Sequence, residues 1–349
     1  MTMVFNGDHC GSAVSGIIAE CQQTIRPALR VAVDSLPVSV RRVVGYHFGW
    51  EDAQGRSAPT AEGGKMVRPA LTLLSARAVG GQASDVVLAA VAVQLVHEFT
   101  LLHDDIMDDD RLRRHRPAAW VVFGVPAALL AGDALWALAL HLMSESKRHP
   151  TDGRDIGILI SALHRLTAGQ AADIDLSQRN RVSASEWQEM AADKTGALMG
   201  AACALGALSS GGSSAQIRYL QQVGEHLGVA FQCVDDLLGI WADPNVTGKP
   251  VGNDVVRRKR TLPVVAALLS GTTAGEELER LYRLNRTLTP HEAVRATELI
   301  EDAGGRSWVR QQAKDHTQQA IQCLHKTGLL PEVVTALSEL ANTLTGRPR

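Results

Sequence analysis

Aromatic side chains are scarce in this sequence: five Phe, six Trp and three Tyr make up 4% of 349 residues. Alanine and leucine dominate instead, which favours helices over sheets. Excess charge is also missing. With a formal net charge of -2, no global basic field invites nucleic acid, and the basic residues that matter are local clusters. The cysteines Cys10, Cys21, Cys203, Cys233 and Cys323 show neither metal-ligand spacing nor even pairing. They read as reduced thiols of a cytoplasmic protein. Met1 to Gly11 lacks the charged start and apolar run of a signal peptide. No uncharged apolar run reaches the ~20 residues of a membrane span. The expectation is a soluble protein, not an integral membrane one.

The length allows a sizeable core. Apolar residues at helical spacing (Ile17, Ile18, Cys21, Ile25, Leu29, Val33) predict a helix from Ser12 to about Leu36, ending before Pro37. Further helices are expected over 38–46, 70–79, 84–107, 127–146, 156–177, 184–208 and 215–241, with four or five more over 262–344. Residues 50–64, 111–126 and 242–256 read as loops, the last of a length expected for a functional flap. Residues 1–11 read as a flexible N-terminus and 12–349 as one all-helical domain, since no repeat or composition shift divides them.

The chemistry concentrates in two stretches. The helix ending at Met107 presents His-Asp104-Asp105-Ile-Met-Asp108-Asp-Asp and then Arg113-Arg114. Asp104 and Asp108 are four apart and share a helix face, with Asp105 beside them. Like charges that close repel unless a cation compensates. Oxygen ligands on one or two carboxylates suit Mg²⁺, which shares its remaining positions with water and phosphate, and arginine forks bind phosphate oxygens. A solvated charged helix end is the plain alternative. A second stretch, Phe-Gln232-Cys-Val-Asp235-Asp236, repeats the pattern of aspartates interrupting an apolar helix. Two such helices could face one another across a cleft, with metal ions between them clamping one diphosphate.

Other residues join only in that context. Gly64-Lys65-Met-Val-Arg68-Pro69 could place two cations at a helix start that also favours an anion, or be an ordinary basic turn. His97 lies seven residues before Asp104, about two turns away on the same face. It is either a satisfied core histidine or a third anion contact. Gln170 and Asp173 could be a polar spot on a helix, and Lys194-Thr195 a snorkelling lysine beside a packed hydroxyl.

Taken in order, GGKMVRP, DDIMD, RR, GQAAD, KTG, FQCVDD, GKPVGND and KRTLP resemble the motifs of trans-isoprenyl diphosphate synthases, the polyprenyl synthetase family, over roughly residues 60–265. The run DDLLGIWADPNVTGKPVGND is most like bacterial geranylgeranyl diphosphate synthases. The resemblance implies the isoprenoid synthase fold, an antiparallel helix bundle around a central cavity, and a homodimer. It implies that Asp104, Asp108 and Asp235 hold an allylic diphosphate through Mg²⁺, three ions in all, supported by Asp105 and Asp236. Arg113, Lys194, Lys249 and Lys259 would touch that diphosphate directly. Isopentenyl diphosphate would sit on Lys65, Arg68, His97 and Arg114, while Gln170, Thr195 and Gln232 line the reacting centre.

Two departures stand out. Gly239 occupies the place of the second motif's usual third aspartate, and His115 and Ala118 replace a glycine and a threonine after the arginine pair. In this family the residues before the first aspartates set the cavity floor. Phe99 beside the smaller Thr100, with no insertion between Asp105 and Asp108, resembles the pattern of C20 producers, so geranylgeranyl diphosphate is the expected product. A farnesyl or longer-chain synthase is the near alternative. A class I terpene cyclase would carry Ser and Glu after Asn253-Asp254, and these are missing. An inactive regulatory subunit would be expected to have lost an aspartate pair.

Overall fold

The computed structural model describes residues 12–58, 66–145, 152–179, 181–241, 252–284, 286–326, 329 and 331–345. The expected flexible segment 1–11 and most of the expected flap, 242–251, lie outside the described residues. The architecture is all-α, as the composition predicts. Cys21, Cys203, Cys233 and Cys323 are free and buried.

Backbone contacts divide the chain into two compact units. The first comprises Met1–Ser161, Ala201–Gln221 and Leu324–Glu339; the second comprises Ala162–Gly200, Gln222–Cys323 and Leu340–Arg349.

In the first unit, helix Val87–Met107 packs against Ser12–Asp34, Val67–Ala78 and Val125–Ser144. Its run Ala90-Val91-Ala92-Val93 and Leu95-Val96 is almost wholly buried, so it is apolar on every side. A Cβ on Gly206 would come within 2.2 Å of the Thr72 carbonyl; the missing side chain lets Ala197–Ser209 touch the backbone of Val67–Ala78. The segment expected to be loop holds a two-stranded hairpin, Leu112–Arg113 with Arg116–Pro117, and a short helix, Ala119–Phe123. The hairpin escapes a pattern reading because its turn is Arg114-His115, both at positive φ (52° and 61°), where Asn-Gly is the usual signal.

Two helices of this unit, Val87–Met107 and Val125–Ser144, are long and apolar enough by length and composition to cross a membrane. An uncharged-run criterion passes over the second because Asp133 interrupts it. The first lies mostly inside the unit. The second is only 33% buried over its most apolar stretch and exposes Val125, Leu129, Leu130 and Trp136.

The second unit starts its helices on side-chain caps. Ser183 and Glu186 form a capping box ahead of Ala184–Ala191, Thr289 and Glu292 do so for Pro290–Asp302, and Thr272 caps Thr273–Tyr282. Its core joins Ile240, Val255, Val264, Leu278, Tyr282, Leu299 and Ile300. The helix expected over 184–208 is interrupted: Ala192–Gly196 forms a π turn between Ala184–Ala191 and Ala197–Ser209.

Candidate active site

In the first unit the aspartates end helix Val87–Met107, with Asp108 as its C-cap. The Asp108 N–H donates to the Asp104 carbonyl at 2.8 Å, so the two residues sit one turn apart and half-buried. A helix C-terminus carries about half a negative charge, and carboxylates there add to it. That placement calls for a cation. Asp105 is buried beneath them and already has one: Arg113 Nε donates to its Oδ1 at 2.9 Å and Nη2 bonds the same oxygen. Burial would lower the Arg113 guanidinium, but the charge and hydrogen bonds of Asp105, together with the charges of Asp110 and Asp104, raise it.

Arg114 turns to a residue that a pattern along the chain does not single out. Its Nη2 donates to both oxygens of fully buried Glu98 at 3.0 and 3.1 Å. His47 Nε2 lies 2.9 Å from Glu98 Oε2, and Gln94 Nε2 donates at 2.7 Å. Burial would raise the Glu98 carboxyl; the Arg114 charge and the His47 hydrogen bond hold it well below the usual range. Polar Gln94 and Glu98, four apart in an otherwise apolar helix, were the available signal.

Burial and the neighbouring charge of Arg68 keep His97 neutral, well below its usual value. Burial pushes the Arg68 guanidinium down to about 10, and its buried Nε has no hydrogen-bond partner among the described residues. A buried donor of this kind costs free energy until an acceptor arrives. Lys65 lies outside the described residues.

In the second unit, the π turn places Lys194 and Thr195 between two glycine contacts. A Cβ on Gly169 would lie 2.2 Å from the Lys194 nitrogen, and one on Gly228 would lie 2.4 Å from the Gly196 Cα. Close approach on both sides brings the next turn of each neighbouring helix within reach of the π turn's side chains. After Gly169 comes Asp173, whose Oδ2 accepts from Lys194 Nζ at 2.5 Å and Lys259 Nζ at 3.2 Å. Burial opposes its ionisation, but the two lysines hold its carboxyl at about 2. After Gly228 comes Gln232, whose Oε1 accepts from Thr195 Oγ1 at 2.8 Å. Its Nε2 donates to Asp236 Oδ1 at 3.0 Å. Asp236 Oδ2 also accepts the first N–H of helix Leu262–Leu268, at 2.7 Å from Leu262. Burial pushes the Asp236 carboxyl up to about 7 against these hydrogen bonds. Gln170 is buried on the same helix as Asp173. Lys249 lies outside the described residues.

The donor set fits a magnesium-type ion. Asp235 Oδ1 is buried without a hydrogen-bond partner among the described residues, an acceptor suited to a cation. No three His, Cys, Asp or Glu groups among the described residues converge into a preformed cage. Magnesium does not need one: it binds through one or two carboxylates and completes its shell with water and phosphate oxygens.

Phe99 and His103 lie on one face of Val87–Met107, their rings edge to face with centroids 4.9 Å apart. Gly132 of Val125–Ser144 faces them: a Cβ there would be 2.4 Å from His103 Nε2 and 3.4 Å from Phe99 Cδ2. Thr100 is half-buried, its hydroxyl donating to the His97 carbonyl at 2.7 Å.

The family model described as polyprenyl synthetase matches residues 57–300. A geranylgeranyl diphosphate synthase of Mycobacterium tuberculosis is 44% identical, the alignment covering 90% of this chain and 89% of that protein. A (2E,6E)-farnesyl diphosphate synthase of Mycobacterium bovis is 39% identical over 95% of this chain and 92% of its own length. The crystal structure of a polyprenyl synthetase from Streptomyces coelicolor superposes with a TM-score of 0.89 at 42% identity, covering 95% of this chain and 99% of that one.

Proposed function

Because this chain belongs to the polyprenyl synthetase family, and is thereby a trans-prenyltransferase, we propose that it condenses isopentenyl diphosphate with allylic diphosphates to give all-trans geranylgeranyl diphosphate. The observation that carries the reading is the placement of Asp104 and Asp108 one turn apart at the negative end of their helix, a position that favours a bound cation. The C20 length draws on Phe99 and on the geranylgeranyl diphosphate synthase relative. The farnesyl diphosphate synthase relative keeps C15 as the competing product.

In this reading Asp104, Asp108 and Asp235 hold three magnesium ions on the allylic diphosphate, with Asp105 and Asp236 fixed behind them. When bound, magnesium neutralises the diphosphate and makes it a competent leaving group. Lys194, Lys249, Lys259 and Arg113 add positive charge around the departing group. Asp173 keeps Lys194 and Lys259 aimed together. Lys65, Arg68, His97 and Arg114 bind isopentenyl diphosphate, the bare Arg68 Nε gaining an acceptor. Glu98 fixes Arg114 for that contact. Gln232, Thr195 and Gln170 turn oxygens toward the allylic cation. The double bond of isopentenyl diphosphate attacks that cation, and the proton then lost goes to the released diphosphate.

The exposed apolar residues of Val125–Ser144, Leu130 and Trp136 among them, support a homodimer closed over that face. Purified protein with Mg²⁺, isopentenyl diphosphate and separate C5, C10 and C15 primers tests the reaction. A C20 alcohol after dephosphorylation is expected. A C15 or C25-and-longer product overturns the length, a hydrocarbon from one diphosphate means a cyclase, and no turnover means a regulatory subunit.

A further inference from the structure

Lys194 and Thr195 make their contacts from a π turn, and the place of a π turn along a helix has to be fixed by something. Its closing bond runs from the Ala197 N–H to the Ala192 carbonyl, five residues back. Moving the extra residue along the helix would exchange one such bond for another. The helix beyond would stay in phase, but each residue passed over would rotate by about 100°. Lys194 would then leave Asp173, or Thr195 would leave Gln232. The turn's own backbone bonds do not choose between these positions.

One side chain from a neighbouring helix does. Arg165 of helix Arg154–Gln178 spends its whole guanidinium on the turn and its surroundings. Nη2 donates to the Ala192 carbonyl at 3.4 Å, the same oxygen that closes the π turn. Nε donates to Asp193 Oδ1 at 2.8 Å, and Nη1 donates to Glu225 Oε1, on helix Ser214–Trp241, at 2.5 Å. Arg165 stands one turn before Gly169, and Glu225 stands just under one turn before Gly228. The network therefore joins the two helices whose glycines admit the turn. A Cβ on Gly196 would lie 3.1 Å from the Glu225 carbonyl, so the turn is packed closely on that side as well. Burial would lower the Arg165 guanidinium, but its hydrogen bonds and charge pairing with Asp193 and Glu225 raise it. All three side chains are partly exposed, and ion pairs so placed contribute little stability. What a planar fork supplies is direction, because its N–H groups are fixed relative to one another.

We propose that Arg165 fixes where the π turn falls, and with it the aim of Lys194 and Thr195 at the bound diphosphate. This rests on the diphosphate chemistry proposed for the chain. Arg165 acts through the turn and is a positioning residue. Asp193 and Glu225 serve it as anchors, one on the turn and one on the helix that carries Gln232.

The test is calorimetric titration of the full-length protein with inorganic pyrophosphate in Mg²⁺. Arg165→Met keeps the length of the side chain and removes all of its hydrogen bonds. It is expected to raise the Kd about tenfold, the order that one charge-assisted hydrogen bond contributes, with the stoichiometry unchanged. Asp193→Asn is expected to raise it about threefold. In a Lys194→Ala background, Arg165→Met should raise the Kd less than twofold, because the group it aims is gone. A general structural defect would lower the stoichiometry or cost the same factor in both backgrounds. An unchanged Kd in Arg165→Met, an equal factor with and without Lys194, a loss confined to stoichiometry, or no pyrophosphate binding by the wild type overturns the assignment. If Arg165→Met does not fold, Asp193→Asn carried through the same pair of backgrounds decides. A wild type that binds pyrophosphate but makes no prenyl product fails the functional reading instead, and the titrations still decide the role of Arg165.

Discussion

Arg114 meets Glu98 through two hydrogen bonds, of 3.0 and 3.1 Å, onto a carboxylate with no exposure to solvent. Removing one partner of such a pair strands the other in a dry interior, at about 3–5 kcal/mol. Glu98→Gln is expected to lose stability on that scale in urea denaturation. The pH dependence has a definite sign. The folded carboxyl is held well below its ordinary value, so its contribution is complete above the unfolded value of about 4.3. It disappears as pH falls through the lower folded one. Between those points the Glu98→Gln deficit shrinks with acidification.

His115 sits at φ 61° in the hairpin turn, a conformation that costs an ordinary L residue roughly 1–2 kcal/mol and glycine almost nothing. His115→Gly is expected to raise stability by about 1 kcal/mol, less the added freedom glycine gives the unfolded chain. A denaturation midpoint that falls would show the imidazole contributes more than the turn costs.

Phe99 stands against His103 with Gly132 behind them. If this wall limits the product, Phe99→Ala should shift the chromatographic profile from C20 toward longer alcohols. Gly132→Ala, whose methyl would press on both rings, should shift it toward C15. An unchanged profile from both variants removes Phe99 from the length argument.

His226 and His316 face each other with Nδ1 atoms 3.3 Å apart. Burial lowers both below their usual value, and the charge of His226 lowers His316 further. With the folded values depressed, the unfolded chain binds more protons below about pH 6.5. Stability therefore falls with acidification until the folded values are reached. The slope is at most about 1.4 kcal/mol per pH unit for each histidine. Urea midpoints at pH 7.5 and 5.5 should differ less in His316→Asn than in the wild type.

Helices were legible wherever apolar spacing ran unbroken, as from Ile17 to Val33, and both aspartate pairs declared themselves by interrupting such runs. Glu98 did not, because its partner lies sixteen residues away across a hairpin whose turn has no glycine. Asp173 looked like a polar spot because Lys194 and Lys259, which define it, come from two other segments. A pattern along the chain records which face a residue occupies, but not which distant residue arrives there.

The π turn at Ala192–Gly196 also bears on how this chain can change through descent. Substitutions there alter one side chain at a time and leave the helical phase untouched. A lost residue is another matter: rewinding the segment to a regular helix would rotate everything beyond it by about 100°. Lys194 would leave Asp173, and Thr195 would leave Gln232. The irregular turn is thus a counting constraint, and relatives that keep these pairings should vary in letters across it but not in length.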